Sequence, residues 1–462
     1  MNKYLALVLL SFSAAPAFAQ QELGLLEIYE LALDNDPVIR EAEANFLATS
    51  EVKRQARSSL LPSLSLSGST TDNYSENPNP PLDFFTGQPS TQFSSSESDS
   101  QSSNLSVSVN QTVFNWGQYL SLKQADKTIA RAEVELAVTQ QELMVRVASA
   151  YFNVLAAEDL LAADIAAREA LSQQLEQTQR RFDVGQIAIM NVQEARSGYD
   201  QAVAAVIGSE RTLATAQESL REIIDNYVTE LRAPIEELPL STPSPEDVEA
   251  WVEIAQGQNL QLVATRISAD ISQDDIRIAR SSRFPTLRLS ASGSDNTSTS
   301  TQTTNQFVGP AITTPPSSRD SQSNNISLNL NMPIFSGGAN RSRIQQSVYR
   351  YRASIEAVER IARQTERMTR DAYLGVTSEI SRVQALRQAL ESSQLALVAT
   401  QAGEEVGQRT GVDVVNAQNT VRRAETTYAT SRYDYLLNIL RLKQAAGSLS
   451  MDDLEQIDAW LE

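Results

Sequence analysis

The sequence predicts an α+β membrane protein with an internal duplication, in which each half supplies strands to a β-barrel and long helices to a coiled coil. Three observations lead to this fold class. Segments of the first half recur about 222 positions later. Four segments alternate between aliphatic and small polar residues, the pattern of strands with one apolar face. Two proline-free runs of about 65 residues each precede a glycine-containing corner.

The duplication is visible in segments that match at offsets of 221 to 223 positions. The matched pairs are "LLPSLSLSGS" with "RFPTLRLSASGS", "NLSVSVNQTVFNWG" with "NISLNLNMPIFSGG", and "SAYFNVL" with "DAYLGVT". A Pro-rich acidic segment at residues 233–249 separates the halves. We assign residues 20–235 to a first structural repeat and 236–462 to a second, because so long a period indicates duplicated half-structures and not a solenoid.

The alternating segments predict one strand pair at about residues 63–114 and another at about 286–335. A soluble β-sandwich has the same alternation. However, the polar face lacks the usual Lys and Glu, and each pair is joined by a long polar insert, residues 75–101 and 295–323. Aromatic residues also lie near the strand ends, as in outer-membrane barrels. Since four strands cannot close a barrel, we expect several copies of the chain to share one.

The proline-free runs predict two long helices, residues 118–182 and 341–405. At 1.5 Å per residue each would extend about 95–100 Å. Apolar residues in the second run are spaced alternately four and three apart, starting at Ile344 and Val348, which indicates left-handed coiled-coil packing. After each corner a shorter helix returns, at about residues 190–226 and 412–446.

The N-terminus predicts export. Lys3 precedes the apolar stretch "YLALVLLSF" and an Ala-x-Ala site at residues 17–19. Residues 1–19 are therefore expected to be a signal peptide, with the mature chain starting near Gln20. No later apolar run is long enough to predict a transmembrane helix.

The composition excludes several classes of function. The chain has no cysteine and no histidine, so disulfides, thiolate metal sites, imidazole bases and the common zinc sites are excluded. The net charge of −19 argues against nucleic acid as a partner. Adjacent carboxylates such as Asp274 and Asp275 point to different faces of a helix, and no phosphate-binding loop is present. We predict no enzyme, no catalytic residue, no metal and no cofactor.

The same helical corner occurs twice in the sequence. "RFDVGQIAIMNVQEARSGYD" starts at Arg181, and "EEVGQRTGVDVVNAQNTVRRAE" starts at Glu404. Each contains Val-Gly-Gln between helical runs, and the polar residue six positions after the Gly is Asn191 in one copy and Asp413 in the other. The simplest interpretation of either corner is a helix that ends at Gly.

Several segments together resemble the TolC family of trimeric outer-membrane efflux channels. They are "YFNVL", "RFDVGQIAI", "NVQEARSGYD", "VDVV", "SRYDYLLNIL", "PSLSLSGS" and "NMPIFSGG". The resemblance covers nearly the whole mature chain. It implies a homotrimer whose protomers each give four strands to a twelve-stranded outer-membrane β-barrel, continuous with a long periplasmic α-helical coiled-coil barrel. The end of the chain would form a C-terminal equatorial segment.

The resemblance also implies a function. Such a channel is the exit duct of a tripartite efflux pump, a type I secretion system, or both. Its partners are the outer-membrane lipid, a periplasmic adaptor protein and an inner-membrane transporter of the RND, MFS or ABC class. Its location is the outer membrane, extending into the periplasm, with a gate formed by the coiled-coil tips at the periplasmic end.

The family pattern assigns roles to the two corners. Both Val-Gly-Gln triplets match the sites that receive the adaptor, namely Val184, Gly185 and Gln186, and Val406, Gly407 and Gln408. Asp413 matches the aspartate that constricts the pore and attracts cations, although a lone helical Asp otherwise indicates a solvated face. Asn416 stands where many members have a second acidic residue, so we expect weaker binding of polyvalent cations.

The gate departs from the family pattern. Arg409 matches an arginine that links to the neighbouring corner in the closed channel. The matching partner positions are Met190 and Asn191, where a hydroxyl and an aspartate are typical, so no ion pair with that corner is available. Glu404 replaces an aromatic residue, and two interpretations stay open for it: a substitute acceptor for Arg409 or a solvated charge. We expect a closed state held by different links.

A periplasmic coiled-coil adaptor or scaffold protein of an export assembly is the alternative function, since such proteins also combine long helices with small β-structures. Two strand pairs with long polar inserts favour the channel, because an adaptor does not need them.

Overall fold

The computed structural model describes residues 22–79, 94–228, 230–235, 237–305 and 310–461. The predicted signal peptide lies outside the described residues. The chain divides into two compact units, which we call the helical unit and the sheet unit. The helical unit comprises the described residues of Met1–Phe46, Ala132–Thr265 and Ala357–Glu462; the sheet unit comprises those of Leu47–Arg131 and Arg266–Glu356.

The sheet unit contains an antiparallel sheet. β3 lies beside β2, which in turn pairs with β1, and the other side of β3 pairs with β5 and with the two-residue β4. The strand bounds are β1 Ser63–Asn79, β2 Ser94–Phe114, β3 Thr286–Asn305, β4 Ile312–Thr313 and β5 Ser317–Asn331. Each half of the sequence therefore supplies two long strands.

The register places the aliphatic side chains together on one face of the sheet. Leu64 lies opposite Val109, and Leu289 lies opposite Leu328. These side chains have little contact within the protomer; Leu64 and Ile326, for example, are 73% and 79% exposed. The other face carries hydroxyl ladders, in which cross-strand Ser pairs are hydrogen-bonded at 2.7–2.8 Å: Ser65–Ser108, Ser67–Ser106, Ser290–Ser327 and Ser294–Ser323.

The strands differ from the sequence-based expectation at both ends. Much of the inserts at residues 75–101 and 295–323 is strand and not loop, since β1, β2, β3 and β5 all extend into them. Ser and Thr occupy both faces there, so no apolar alternation marks the strands. At the other end, β5 stops at Asn331 and not near residue 335. Pro333 follows and cannot donate to a ladder. The short strand β4 was not predicted.

Helices make up the rest of the described chain. Their bounds are α1 Leu25–Asn35, α2 Pro37–Ser58, α3 Trp116–Asp183, α4 Ile189–Ile224, α5 Val248–Gln258, α6 Leu260–Ser281, α7 Ala339–Glu405, α8 Gly411–Ala446 and α9 Met451–Asp458. The two long helices, α3 and α7, each contribute residues to both units. Among the residues that the structure describes, no helix combines the length and the apolar character needed to cross a bilayer.

The helical unit has its own apolar core. Tyr151, Phe152 and Tyr435 are among its largest fully buried side chains. The Tyr151 hydroxyl donates to the Arg232 carbonyl at 2.6 Å, and the Tyr433 hydroxyl donates to the Asp159 carboxylate at 2.6 Å. Burial, together with Asp159, raises the pKa of Tyr433 far above its ordinary value. These bonds satisfy the polar ends of buried aromatic side chains. The Tyr433–Asp159 bond joins α8 to α3, and the Tyr151–Arg232 bond joins α3 to the segment between α4 and α5.

Candidate functional site: two helical corners

The first corner is a Schellman motif at the end of α3. The Gly185 N–H donates to the Phe182 carbonyl at 2.8 Å, and the Gln186 N–H donates to the Arg181 carbonyl at 2.9 Å. These are the two bonds that define the motif, and they satisfy carbonyls that the helix end leaves without partners.

The second corner, at the end of α7, has the same two bonds. The Gly407 N–H donates to the Glu404 carbonyl at 3.0 Å, and the Gln408 N–H donates to the Gly403 carbonyl at 2.8 Å. The φ angles of Gly185 and Gly407 are 77° and 74°, and a Cβ built on either would meet nothing within 4 Å. Backbone conformation, and not space, therefore requires glycine at both corners.

Each corner exposes an apolar side chain next to its glycine. Val184 and Val406 are each 70% exposed. Gln186 and Gln408 are also exposed. The two predicted docking triplets therefore have the same backbone geometry and present the same side chains, although they come from different halves of the chain.

The helices that follow the corners begin differently. Ala188, the N-cap of α4, provides no side-chain cap. Thr410, the N-cap of α8, forms a capping box with Asp413: the Asp413 N–H donates to the Thr410 hydroxyl at 3.3 Å, and the Thr410 N–H donates to the Asp413 carboxylate at 2.9 Å. Asn191 occupies the position in α4 that Asp413 occupies in α8, since each backbone N–H donates to its N-cap carbonyl. The Asn/Asp difference thus coincides with a difference in capping.

The capping box also sets the electrostatics of Asp413. Hydrogen bonds from the backbone and the hydroxyl of Thr410, followed by the charge of Arg409, lower the pKa of the Asp413 carboxyl below its ordinary value. Asp413 is therefore ionised at neutral pH. One of its carboxylate oxygens, Oδ2, accepts both bonds from Thr410, at 2.9 and 3.0 Å, so the predicted pore aspartate is also a structural cap.

Arg409 lies against the last turn of α7. Its backbone N–H donates to the Gly403 carbonyl at 3.1 Å. A Cβ added at Gly403 would come within 2.9 Å of the Arg409 Cγ, so this glycine makes room for the arginine stem. Arg409 is exposed and forms no ion pair within the described part of the protomer.

Glu404 is paired with a residue that the sequence did not single out. Its carboxylate lies 2.9 Å from the guanidinium of Arg181, and the two side chains are only 16% and 29% exposed. The pair joins the end of α3 to the end of α7, so within one protomer Glu404 contacts Arg181 and not Arg409. The repeat alignment carried a signal for this pair: Arg181 aligns with Gly403 and Phe182 with Glu404, which predicts opposite charges at the same level of two equivalent helices.

The remaining predicted site residues are exposed. Met190 is 66% exposed, and Asn191 and Asn416 also lie at the surface of the protomer. Asn416 lies one helical turn beyond Asp413, on the same side of α8. The structure therefore brings the docking triplets, Asp413 and Arg409 to the ends of four helices.

Comparison with known proteins gives a family match over both halves. A sequence profile described as outer membrane efflux protein matches residues 28–226 and again residues 251–448. The chain is 34% identical over 458 residues to the outer membrane protein TolC of Escherichia coli (strain K12), covering 98% of this chain and 88% of that protein. It is 25% identical over 440 residues to the alkaline protease secretion protein AprF of Pseudomonas aeruginosa, covering 95% of this chain and 87% of that protein.

The fold is also that of a solved channel. The crystal structure of the CmeC outer membrane channel of Campylobacter jejuni superposes with a TM-score of 0.71 at 14% sequence identity. The match covers 95% of this chain and 90% of that one.

Proposed function

The chain belongs to the outer membrane efflux protein family, and we propose that its two helical corners are where the channel binds a periplasmic adaptor and where it opens. The protein is an outer-membrane exit duct for efflux and type I secretion. Its fold is that of a trimeric channel, with a β-barrel to which each protomer gives four long strands and a helical coiled-coil barrel.

The geometry shared by the two corners is the observation that supports docking. A plain helix end requires only the glycine, yet both corners also present an exposed valine and glutamine in the same backbone conformation. In a trimer, three protomers with two such corners each present six nearly equivalent sites. A ring of repeated sites suits a partner that binds as several copies of one hairpin, as an adaptor oligomer does.

Introduction of a charge at the exposed valines tests the docking proposal. Val184→Asp and Val406→Asp place a charge where the adaptor buries an apolar side chain. We expect each to lower adaptor affinity about tenfold or more, the loss for a hot-spot residue worth at least ~1.4 kcal/mol. The affinity is measured from the binding of soluble adaptor to immobilised, detergent-solubilised trimers.

Val398→Asp is the matched control. Val398 is 63% exposed on α7, two turns before the second corner, and is outside both triplets. All three variants should reach the outer membrane as trimers. The docking proposal is refuted if Val398→Asp lowers adaptor affinity as much as the corner variants do. It is also refuted if the two corner variants leave adaptor affinity unchanged.

We place the pore constriction at Asp413, where three copies form a carboxylate ring with Asn416 one turn away. In the closed gate of the same proposal, Arg409 forms a link to the corner that contains Met190 and Asn191. Conduction is passive and needs no catalytic residue, and the inner-membrane partner is an RND, MFS or ABC transporter. The partial positive charge of the α8 N-terminus and the three carboxylates of the ring set the local potential together.

Trivalent cations test the ring. Asn416→Asp raises the ring from three to six carboxylates, so we expect lanthanum to block single-channel current at roughly tenfold lower concentration, because convergent charges interact by about 1 kcal/mol even in water at ~4 Å. Asp413→Asn should abolish the block. If lanthanum blocks wild type and Asp413→Asn equally, the constriction lies elsewhere.

A further inference from the structure

The charges of the β-sheet are separated completely between its two faces. The charged residues of the described strands can each be assigned to a face, because side chains alternate along a strand and the register is continuous apart from one shift near Thr112. The face with the aliphatic side chains carries all six carboxylates of the described strands: Asp72, Glu76, Glu97, Asp99, Asp295 and Asp320.

The opposite face carries only positive charge. Its only charged residues in the described strands are Arg288 in β3 and Arg319 in β5. Its other residues are almost all Ser, Thr, Asn and Gln; Ile312 of β4, opposite Thr304, is an aliphatic exception. Both are exposed. In a chain of net charge −19, a face of this size without a single carboxylate is unexpected, and the two arginines dominate its potential.

Neither arginine has a partner of opposite charge beside it in the sheet. Arg288 lies between Thr112 on β2 and Asn329 on β5. Arg319 lies opposite Ser298. Within the described residues neither guanidinium forms an ion pair, so both charges are available to a solute.

The hydroxyl face is the one that lines the lumen. The aliphatic side chains of the other face, such as Leu64 and Ile326, are exposed in the protomer and match the apolar band that a barrel presents to lipid. Asn329 donates to the Ser290 and Ser327 hydroxyls at 3.4 and 3.2 Å, which places the register neighbour of Arg288 on the hydroxyl face. Arg288 and Arg319 therefore point into the barrel.

We propose that Arg288 and Arg319 form two rings of three positive charges in the lumen of the trimeric barrel, and that these rings favour anionic solutes at the exit. The proposal rests on the trimeric channel function given above. Ser298, the register partner of Arg319, lies ten residues from Arg288 on β3. The two rings are therefore separated by roughly 33 Å along the strand, which is roughly 25 Å along the barrel axis at the usual strand tilt. A solute that bears several carboxylates or phosphates meets the rings in succession.

The reversal potential of reconstituted trimers in a potassium chloride gradient tests the proposal. We expect the Arg288→Gln, Arg319→Gln double variant to lower the chloride-to-potassium permeability ratio roughly two- to threefold. This is the effect of removing about half a kT of local potential, because the partitioning of chloride falls and that of potassium rises by the same factor. Each single variant should give part of this change. Inositol hexakisphosphate added on the barrel side should reduce wild-type current, and the double variant should be less sensitive.

Asp320→Asn is the matched control. Asp320 follows Arg319 in β5 and lies at the same level on the outer face of the sheet, so its neutralisation should leave the permeability ratio unchanged. The proposal is overturned if the double variant keeps the wild-type ratio and polyanion sensitivity, or if Asp320→Asn changes the ratio as much as Arg319→Gln. If wild-type trimers do not conduct even after Arg409→Ala removes the proposed gate link, the duct function fails and the rings fail with it.

Discussion

Glycine at the corners shows how a single residue type can be required by backbone conformation alone. Gly185 and Gly407 both have positive φ and open space around the position of a Cβ. Gly208, in the middle of α4, also has open space but lies in an ordinary helix. The three positions therefore differ in conformation and not in packing, which makes them a matched set.

We predict that Gly407→Ala and Gly208→Ala have opposite effects. An alanine at positive φ costs about 1–2 kcal/mol, whereas alanine in a helix interior is favoured over glycine by up to about 1 kcal/mol. Hydrogen exchange at the Gln408 amide should accelerate in Gly407→Ala. Exchange around residue 208 should slow in Gly208→Ala. Equal effects of the two substitutions would show that the corner does not depend on its left-handed residue.

The contacts at the two corners differ in how far apart their partners are in the sequence. The Val-Gly-Gln pattern predicted both turns, because a glycine that ends a helix is a local signal. The capping box of Thr410 and Asp413 is equally local, since it depends on a Thr and an Asp three positions apart at the start of α8. The Arg181–Glu404 pair was not predictable from either residue alone, since its partners are 223 positions apart and only the repeat alignment brings them to one level.

At the scale of elements, that pair is the contact that joins the two corners of one protomer. Arg181 supplies a carbonyl to the first Schellman motif, and Glu404 supplies one to the second. A partly buried ion pair between them therefore connects the acceptors of both turns. The neighbouring pair, Arg180–Glu176, lies on the same turn of α3 but stays within that helix, and its side chains are 75% and 66% exposed.

We predict that Arg181→Ala loosens both corners, whereas Arg180→Ala loosens neither. Loss of Arg181 leaves the Glu404 carboxylate largely buried without its partner, at a cost of about 1–2 kcal/mol, between the values for surface and fully buried pairs. Hydrogen exchange at residues 182–190 and 403–413 should accelerate together. The Arg181→Glu, Glu404→Arg double variant should recover most of the protection. Unchanged exchange at the second corner in Arg181→Ala would show that the corners are independent.

The lengths of the elements were predicted unequally, for a physical reason. The long helices and their returns have strong periodic patterns, and α3, for example, spans Trp116–Asp183 where residues 118–182 were expected. The strands have apolar alternation only over the few residues that face lipid. Beyond Gly68 and Gly293 both faces become polar, so the sequence predicted loops where the structure has strands.

At the scale of the whole molecule, the duplication predicts how protomers join. β1 and β5 lie at the two edges of the described sheet, and closing a trimeric barrel requires β5 of one copy to pair with β1 of the next. Within one chain, the contact between the halves is β2 with β3, where Ser108 lies opposite Ser292. The repeat offsets carry Ser108 to Asn329 and Ser292 to Ser69.

We therefore predict that Asn329 of one protomer lies opposite Ser69 of the partner subunit. The chain has no cysteine, so Ser69→Cys with Asn329→Cys creates the only thiols, and directly opposed strand residues have Cβ atoms about 4.5–5.5 Å apart. A short bis-maleimide should convert this variant to covalent trimers on a denaturing gel. Ser65→Cys with Asn329→Cys shifts the register by four residues and should give little product. More product from this control would show that the contact between protomers does not repeat the contact between halves.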